Sequence, residues 1–333
     1  MFNAYEHMEN HYNLDKLFVL SELESNIQCV ATEKIHGTNY SFLSDGSTIK
    51  PCKRNSTLTE SSSFNGHQNV FNKYKSSIEH IYNIIKEKYP TVEYIQLYGE
   101  LFGGLFNGQT EKNHSKVQSK TSYHMKNEFM AYDLKISILD ESKSHVFYVD
   151  WLDLVELFDN NPTIIIKLVP TLKMDTLENL LKLNPVFESQ VSKIYGLDEQ
   201  LKPFYAEGYV IHPVRETQFI SKYNNEQNHR MIFKFKNPAY LEVDQSIVTN
   251  QSTKTVKPQY STILKKYINI NRYNNVSSKI TMDEIDKLDD LFCQDIMLDF
   301  LSDFGEISQS DIDICQKICA NLVKIFLKNI NNE

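Results

Sequence analysis

The spacing of apolar residues changes near position 245, and this change constrains the fold more than any other feature of the chain. Before it, short runs with a two-residue period alternate with Gly, Asn and Ser clusters, as strands alternate with turns. Strands are expected over residues 28–35, 39–43, 93–101, 129–138, 208–212 and 231–236. Helices interrupt them where Phe71, Tyr74, Ile78, Ile81, Ile85 and Tyr89 recur at helical spacing, and again over 151–158. After 245 the period is helical. Thr281 with Glu284 forms a capping-box pattern ahead of Ile285, Leu288, Leu291 and Phe292, and residues 310–327 align Ile314, Cys315, Ile318, Cys319, Leu322 and Phe326 on one stripe. The chain therefore reads as α+β, with a larger domain over 1–245 and a small helical domain over 246–333. The boundary is expected within 243–255. A length of 333 residues accommodates two such cores.

Charge narrows the partners. A formal charge of -8 argues against a protein that coats nucleic acid indiscriminately, because such binding rests on Lys and Arg neutralising phosphates. The local distribution is more telling. Residues 245–282 contain no acid but carry Lys254, Lys257, Lys265, Lys266, Arg272 and Lys279, whereas Asp283, Glu284, Asp286, Asp289, Asp290, Asp295, Asp299 and Asp303 follow. The acidity is expected to lie apart from the basic segment. The five cysteines are odd in number and irregular in spacing, which favours reduced, packed thiols over a zinc site. No apolar run approaches the roughly 20 residues of a membrane helix, and no secretory pattern opens the chain, so an intracellular, cytoplasmic protein is expected. Frequent Asn, Ile and Lys suggest an AT-rich genome, such as a viral one.

Chemistry concentrates in Glu33-Lys34-Ile35-His36-Gly37-Thr38-Asn39, where a lysine leaves a strand and meets a glycine turn. An ordinary lysine, with a pKa of about 10.4, is protonated at neutral pH, so a nucleophilic Lys34 needs burial or neighbouring cations. Read alone, the same residues also suit a surface turn. Phe233-Lys234-Phe235-Lys236 alternates in strand period, turning Lys234 and Lys236 to one face, either into a phosphate pocket or out from an exposed edge. Glu100 and Glu207 each sit beside an apolar strand, where a carboxylate can orient a ribose, hold Mg²⁺ or pair with lysines. No G-x-x-x-x-G-K-[ST] loop occurs, which excludes the usual P-loop signature.

In their order along the chain, these elements resemble the covalent nucleotidyltransferases, and specifically the RNA ligase 2 family of phage nick-sealing and RNA-editing ligases. Residues 33–39 are similar to that family's motif I, and His36 stands where DNA ligases and capping enzymes usually have aspartate. The resemblance, spanning roughly 33–237, implies an adenylyltransferase domain of mainly antiparallel sheets followed by the helical domain. It makes Lys34 the nucleophile, with Lys234, Lys236 and Glu207 also catalytic. Glu33, Ile35, His36, Gly37, Asn39, Arg54 and Glu100 would bind the nucleotide, and Phe129 would stack on adenine, with Phe102 and Tyr132 as the neighbouring alternatives. Glu207 and Glu100, the latter through water, would hold the metal. Lys254, Lys257, Lys265, Lys266 and Arg272 would contact RNA, and Tyr260, Tyr267 and Tyr273 would either stack on bases or pack between helices.

The family's reaction uses ATP and Mg²⁺, with Mn²⁺ as a substitute. Lys34 takes up AMP, passes it to a 5′-phosphate on RNA, and a 3′-hydroxyl then displaces AMP to seal the ends. The partner implied is RNA with 3′-hydroxyl and 5′-phosphate ends, such as a nicked duplex, handled by a monomer without a membrane. Two other readings stay open: an mRNA-capping guanylyltransferase, and a non-catalytic RNA-binding relative.

Overall fold

The computed structural model describes residues 2–6, 8–11, 27–59, 61–106, 108–118, 121, 123–197, 204–221, 224–241, 260–304 and 307–330, with backbone alone for 218–221, 224–229 and 304. Two compact units emerge, Met1–Pro238 and Ala239–Glu333. The interval expected to hold the boundary, 243–255, lies outside the described residues.

The N-terminal unit is mixed α+β. Its strands are β1 (Glu9–Asn10), β2 (Gln28–Glu33), β3 (Thr38–Ser44), β4 (Ile49–Lys53), β5 (Ser56–Thr57), β6 (Val92–Leu105) and β7 (His124–Asp140). They continue as β8 (Lys143–Tyr148), β9 (Lys167–Leu168), β10 (Thr171–Thr176), β11 (Gly208–Pro213), β12 (Gln218–Ser221), β13 (Asn224–Arg230) and β14 (Phe233–Lys236). Among the described residues, one sheet runs β1-β14-β11-β2-β10 and a second β5-β4-β3-β6-β7-β8, with β9 beside β7, while β12 and β13 form a hairpin. All pairings are antiparallel except β1 with β14 and β7 with β9.

The main core lies in the second sheet and the helix that covers it. Helix α1 (His67–Lys88) turns Val70 inward together with Tyr74, Ile78, Ile81 and Ile85 of the predicted stripe, onto Phe42, Leu97, Phe129 and Leu134 of the strands, while Phe71 and Tyr89 are only partly buried. Helix α2 (Trp151–Asp159) adds Trp151, Leu154 and Phe158 to the same core. The first sheet has its own cluster, in which Tyr209, Ile211, Phe233 and Phe235 meet Leu177 and Leu180 of the short helix α3 (Leu177–Leu180). One-turn helix α4 (Val191–Ile194) completes the unit's helices.

One irregularity of β7 matters below. Opposite β6, Ala131 pairs with Gly99 and Asp133 with Tyr98, so Tyr132 is an extra residue, a β-bulge. Because of it, Tyr132 and Asp133 line the same pocket although they are consecutive.

The C-terminal unit is helical among its described residues: α5 (Tyr260–Leu264), α6 (Ile270–Ser277), α7 (Leu288–Phe304) and α8 (Gln309–Ile330), with 3₁₀ turns at Lys265–Tyr267 and Met282–Lys287. The Thr281–Glu284 capping box is present and starts the second 3₁₀ turn, which leads directly into α7. Cys315, Cys319 and Val323 are the buried face of α8, against Phe292, Ile296 and Phe300, while Ile314 is 48% exposed and falls off the predicted stripe.

Two expectations for this unit are corrected. Arg272 is fully buried, its guanidinium donating to Asp295 at 2.7 Å and Asp299 at 2.6 Å, so it anchors α6 to α7 and has no face for RNA. The same contacts show that part of the acidic run folds back onto the basic segment instead of standing apart from it. Tyr267 is buried, and Tyr260 and Tyr273 pack on the helical core. Lys265 is exposed and Lys266 half-exposed, whereas Lys254 and Lys257 lie outside the described residues.

Candidate active site

Strand β2 ends at Glu33, and the Lys34 backbone N–H donates to the carbonyl of Gly208 at 2.9 Å, tying the lysine to the start of β11. Gly208 has a φ of 141° and any Cβ there would lie 1.9 Å from the Phe235 carbonyl oxygen, so only glycine lets β11 approach β14 at this point. Gly37 is equally constrained: a Cβ would stand 2.2 Å from the Leu101 carbonyl oxygen and 2.9 Å from Glu100 Cγ. These close approaches bring residues far apart in sequence around one carboxylate.

That carboxylate is Glu207. Its Oε2 accepts from Lys34 Nζ at 2.9 Å and lies 3.2 Å from His36 Nδ1, while its Oε1 is 3.4 Å from Lys236 Nζ. Burial pushes the Glu207 carboxyl up, but Lys34, Lys236 and His36 outweigh burial and hold it well below the usual carboxylate range. Phe233 and Phe235 face the core and Lys234 and Lys236 are half-buried on the opposite face, the alternation expected for β14. Lys34, His36, Glu207 and Lys236 thus come together as one charged centre.

A pocket opens beside this centre, lined by Lys34, Glu100, Tyr132, Asp133, Val210 and His212 among others, with contributions from both sheets. Glu100 stands directly opposite Asn39 in the β3–β6 register, and the Asn39 side-chain amide donates to the Tyr132 hydroxyl. Arg54, in the turn between β4 and β5, is near enough for its charge to act on the Tyr132 phenol, which burial, Glu100 and Asp133 hold well above its ordinary range. Ile35 is buried in the core. The His36 backbone N–H donates to the Tyr123 hydroxyl, and Gln118 donates to the Gly37 carbonyl, fixing the turn after the lysine.

Phe129 is not where the sequence reading put it. Its ring is fully buried among Tyr40, Phe42 and Tyr74 on the α1 side of the sheet, leaving no face for a base. Tyr132, three residues on, lines the pocket instead. The charged Asp133 inside an otherwise apolar run was the available signal that β7 changes face there.

Glu33 lines the pocket, while its carboxylate is engaged away from the charged centre, accepting from Ser189 Oγ at 2.5 Å and from the Gln190 backbone N–H at 2.8 Å. Burial pushes this carboxyl up to about 7, against the lowering effect of both bonds. A raised folded pKa means that the native state holds an extra proton between about pH 4.5 and 7, so stability falls as pH rises through that window. Thermal unfolding of wild type and Glu33→Gln across pH 4–8 should show this decline in wild type and its absence in the variant; parallel curves would refute it.

Sequence reasoning missed a buried network behind the pocket. Arg230 donates to both oxygens of Asp133 at 2.8 Å each and to Glu216 at 2.7 Å, and Tyr5 donates to the same Asp133 carboxylate. The Arg230 guanidinium lies 3.5 Å from the centroid of the Tyr148 ring.

The sequence matches the model of the RNA ligase family over residues 27–236, more than half of its length, and the chain belongs to that family. Among solved structures it is similar in fold to Naegleria gruberi RNA ligase. A mutant with ATP and Mn matches at a TM-score of 0.45 and 17% identity, covering 72% of this chain and 58% of that one. The form with PPi gives 0.45, 17%, 72% and 57%, and a mutant with AMP and Mn gives 0.45, 16%, 72% and 57%. The chain therefore spans less than two thirds of the length of these proteins. Among the described residues, no helix is long and apolar enough to cross a membrane.

Proposed function

We propose that this protein is an ATP-dependent RNA ligase that joins a 3′-hydroxyl to a 5′-phosphate, sealing nicks or repairing broken RNA. The observation that carries the proposal is the Lys34 amine, which sits at a pocket on a carboxylate shared with Lys236 and His36. In the first step Lys34 Nζ attacks the α-phosphorus of ATP. An N–P bond forms, the bond to the pyrophosphate oxygen breaks, and Nζ gives up its proton.

In the resting state Lys34 Nζ is held on the Glu207 carboxylate at 2.9 Å. As Lys34 turns to phosphorus, Lys236 and His36 keep Glu207 engaged. Lys234 and Lys236 then face charge building on the phosphate oxygens. Tyr132 replaces Phe129 as the candidate base-stacking ring, held by Asn39. The adenylate passes next to the RNA 5′-phosphate, and attack by the 3′-hydroxyl forms the phosphodiester and releases AMP.

Glu207 and Glu100 are oxygen donors suited to a hard divalent cation, Mg²⁺ or Mn²⁺, which when bound would neutralise charge on the phosphate oxygens. A cation held there would complete its shell with phosphate and water oxygens. Lys254, Lys257, Lys265 and Lys266 remain the candidate contacts to the RNA backbone.

The test is incubation of nucleotide-stripped protein with α-labelled ATP and Mg²⁺, chased with nicked duplex RNA. Label on the protein that is lost as sealed RNA appears supports the ligase. Label from GTP alone points to a guanylyltransferase. No label from either nucleotide sinks the catalytic reading and leaves an RNA-binding relative.

A further inference from the structure

We propose that His212 reads the edge of the nucleotide base, accepting a hydrogen bond from the exocyclic amine of adenine and thereby rejecting guanine. The inference rests on the nucleotide-pocket reading given above.

Position is the first argument. Strand β11 begins at Gly208, paired with Lys236 at the charged end of the pocket, and passes through Val210 to His212, both of which line it. Four residues of strand span about 13 Å from the partner of Lys236, and His212 lies two residues beyond Val210, the partner of Lys234, which puts His212 past both phosphate-binding lysines, where the far edge of a base would lie. Tyr132 and Val210, from different sheets, line the space between.

Hydrogen-bond chemistry is the second. His212 Nδ1 lies 3.1 Å from the Pro213 carbonyl oxygen, and a carbonyl only accepts, so Nδ1 carries the proton. Burial moves the imidazole down to about 4; Asp133 opposes that shift and Arg230 adds to it, so the ring is neutral at physiological pH. Nε2 is then a bare acceptor, and no described residue donates to it. The Trp151 ring, 5.2 Å away at 74°, holds the imidazole plane.

An acceptor in this place distinguishes the two purines by sign. Adenine offers an amine where guanine offers a carbonyl, which would set lone pair against lone pair and leave both groups unpaired in a buried site. Asp133 and Arg230, whose charges act on His212, are committed to each other and to Tyr5.

The experiment compares covalent labelling of the protein by ATP and by purine riboside triphosphate, which has the same ring without the amine. Wild type should prefer ATP by about 10- to 100-fold, and His212→Ala should bring the two within about 3-fold. His212→Gln, whose amide carbonyl restores an acceptor, should recover part of the preference. If the alanine variant does not fold, His212→Phe fills the same space without an acceptor and serves in its place. Equal use of both nucleotides by wild type, or an unchanged preference in the variants, overturns the role of His212. Absence of any covalent nucleotide with ATP on wild type would instead count against the ligase reading itself.

Discussion

Lys34→Ala protein incubated with α-labelled ATP and Mg²⁺ is expected to carry no label, a loss on the order of 10⁴-fold or more, as for removal of other covalent nucleophiles. Lys34→Arg should fail equally, because a guanidinium stays protonated and offers no lone pair. The final step does not use the lysine as nucleophile. Both variants should therefore still seal RNA that already carries a 5′-adenylate, which separates loss of the nucleophile from loss of the fold. Label on Lys34→Ala would move the nucleophile elsewhere.

The second large effect concerns stability. Arg230→Ala leaves the Asp133 carboxylate buried without its bidentate partner, and breaking a buried pair of this kind costs about 3–5 kcal/mol. Replacing both members, as Asp133→Asn with Arg230→Met, should recover part of that loss, because the cost comes chiefly from the stranded charge. Urea unfolding of wild type, Asp133→Asn, Arg230→Met and the double variant gives the coupling, and additive losses would refute it. The pH dependence has a fixed sign. Burial pushes the Asp133 carboxyl up, but Arg230 outweighs it and the net shift is downward. The pair's contribution is complete above the ordinary aspartate range near pH 4 and disappears as acid protonates Asp133 below it.

Local regularity was legible in the sequence. The alternation of Phe233-Lys234-Phe235-Lys236, the stripe of α1 and the Thr281–Glu284 capping box each follow from a period or a cap that needs only neighbouring residues. Contacts that depend on chain-distant partners were not. Asp133 and Arg230 are 97 residues apart, and nothing near Arg272 announces that Asp295 and Asp299 will enclose it. Lys34 and Glu207 are 173 residues apart, and the sequence associated them only through the order of motifs in a resembling family. Phe129 was assigned through that resemblance alone, and the bulge at Tyr132, which depends on pairing with β6, could not be fixed from neighbouring residues alone.

That bulge has a consequence for how the protein can vary. Before Tyr132 the ring of Phe129 belongs to the core, and after it Leu134 and Ile136 do, so inward positions switch from odd to even numbers. Substitutions on either face disturb one environment at a time. Loss of a single residue between 129 and 134 would disturb both, turning Leu134 and Ile136 toward the pocket or withdrawing Asp133 from Arg230. Relatives of this chain should therefore keep the number of residues between 129 and 134 even where the exposed positions of β7 differ in identity, because length there sets both environments at once.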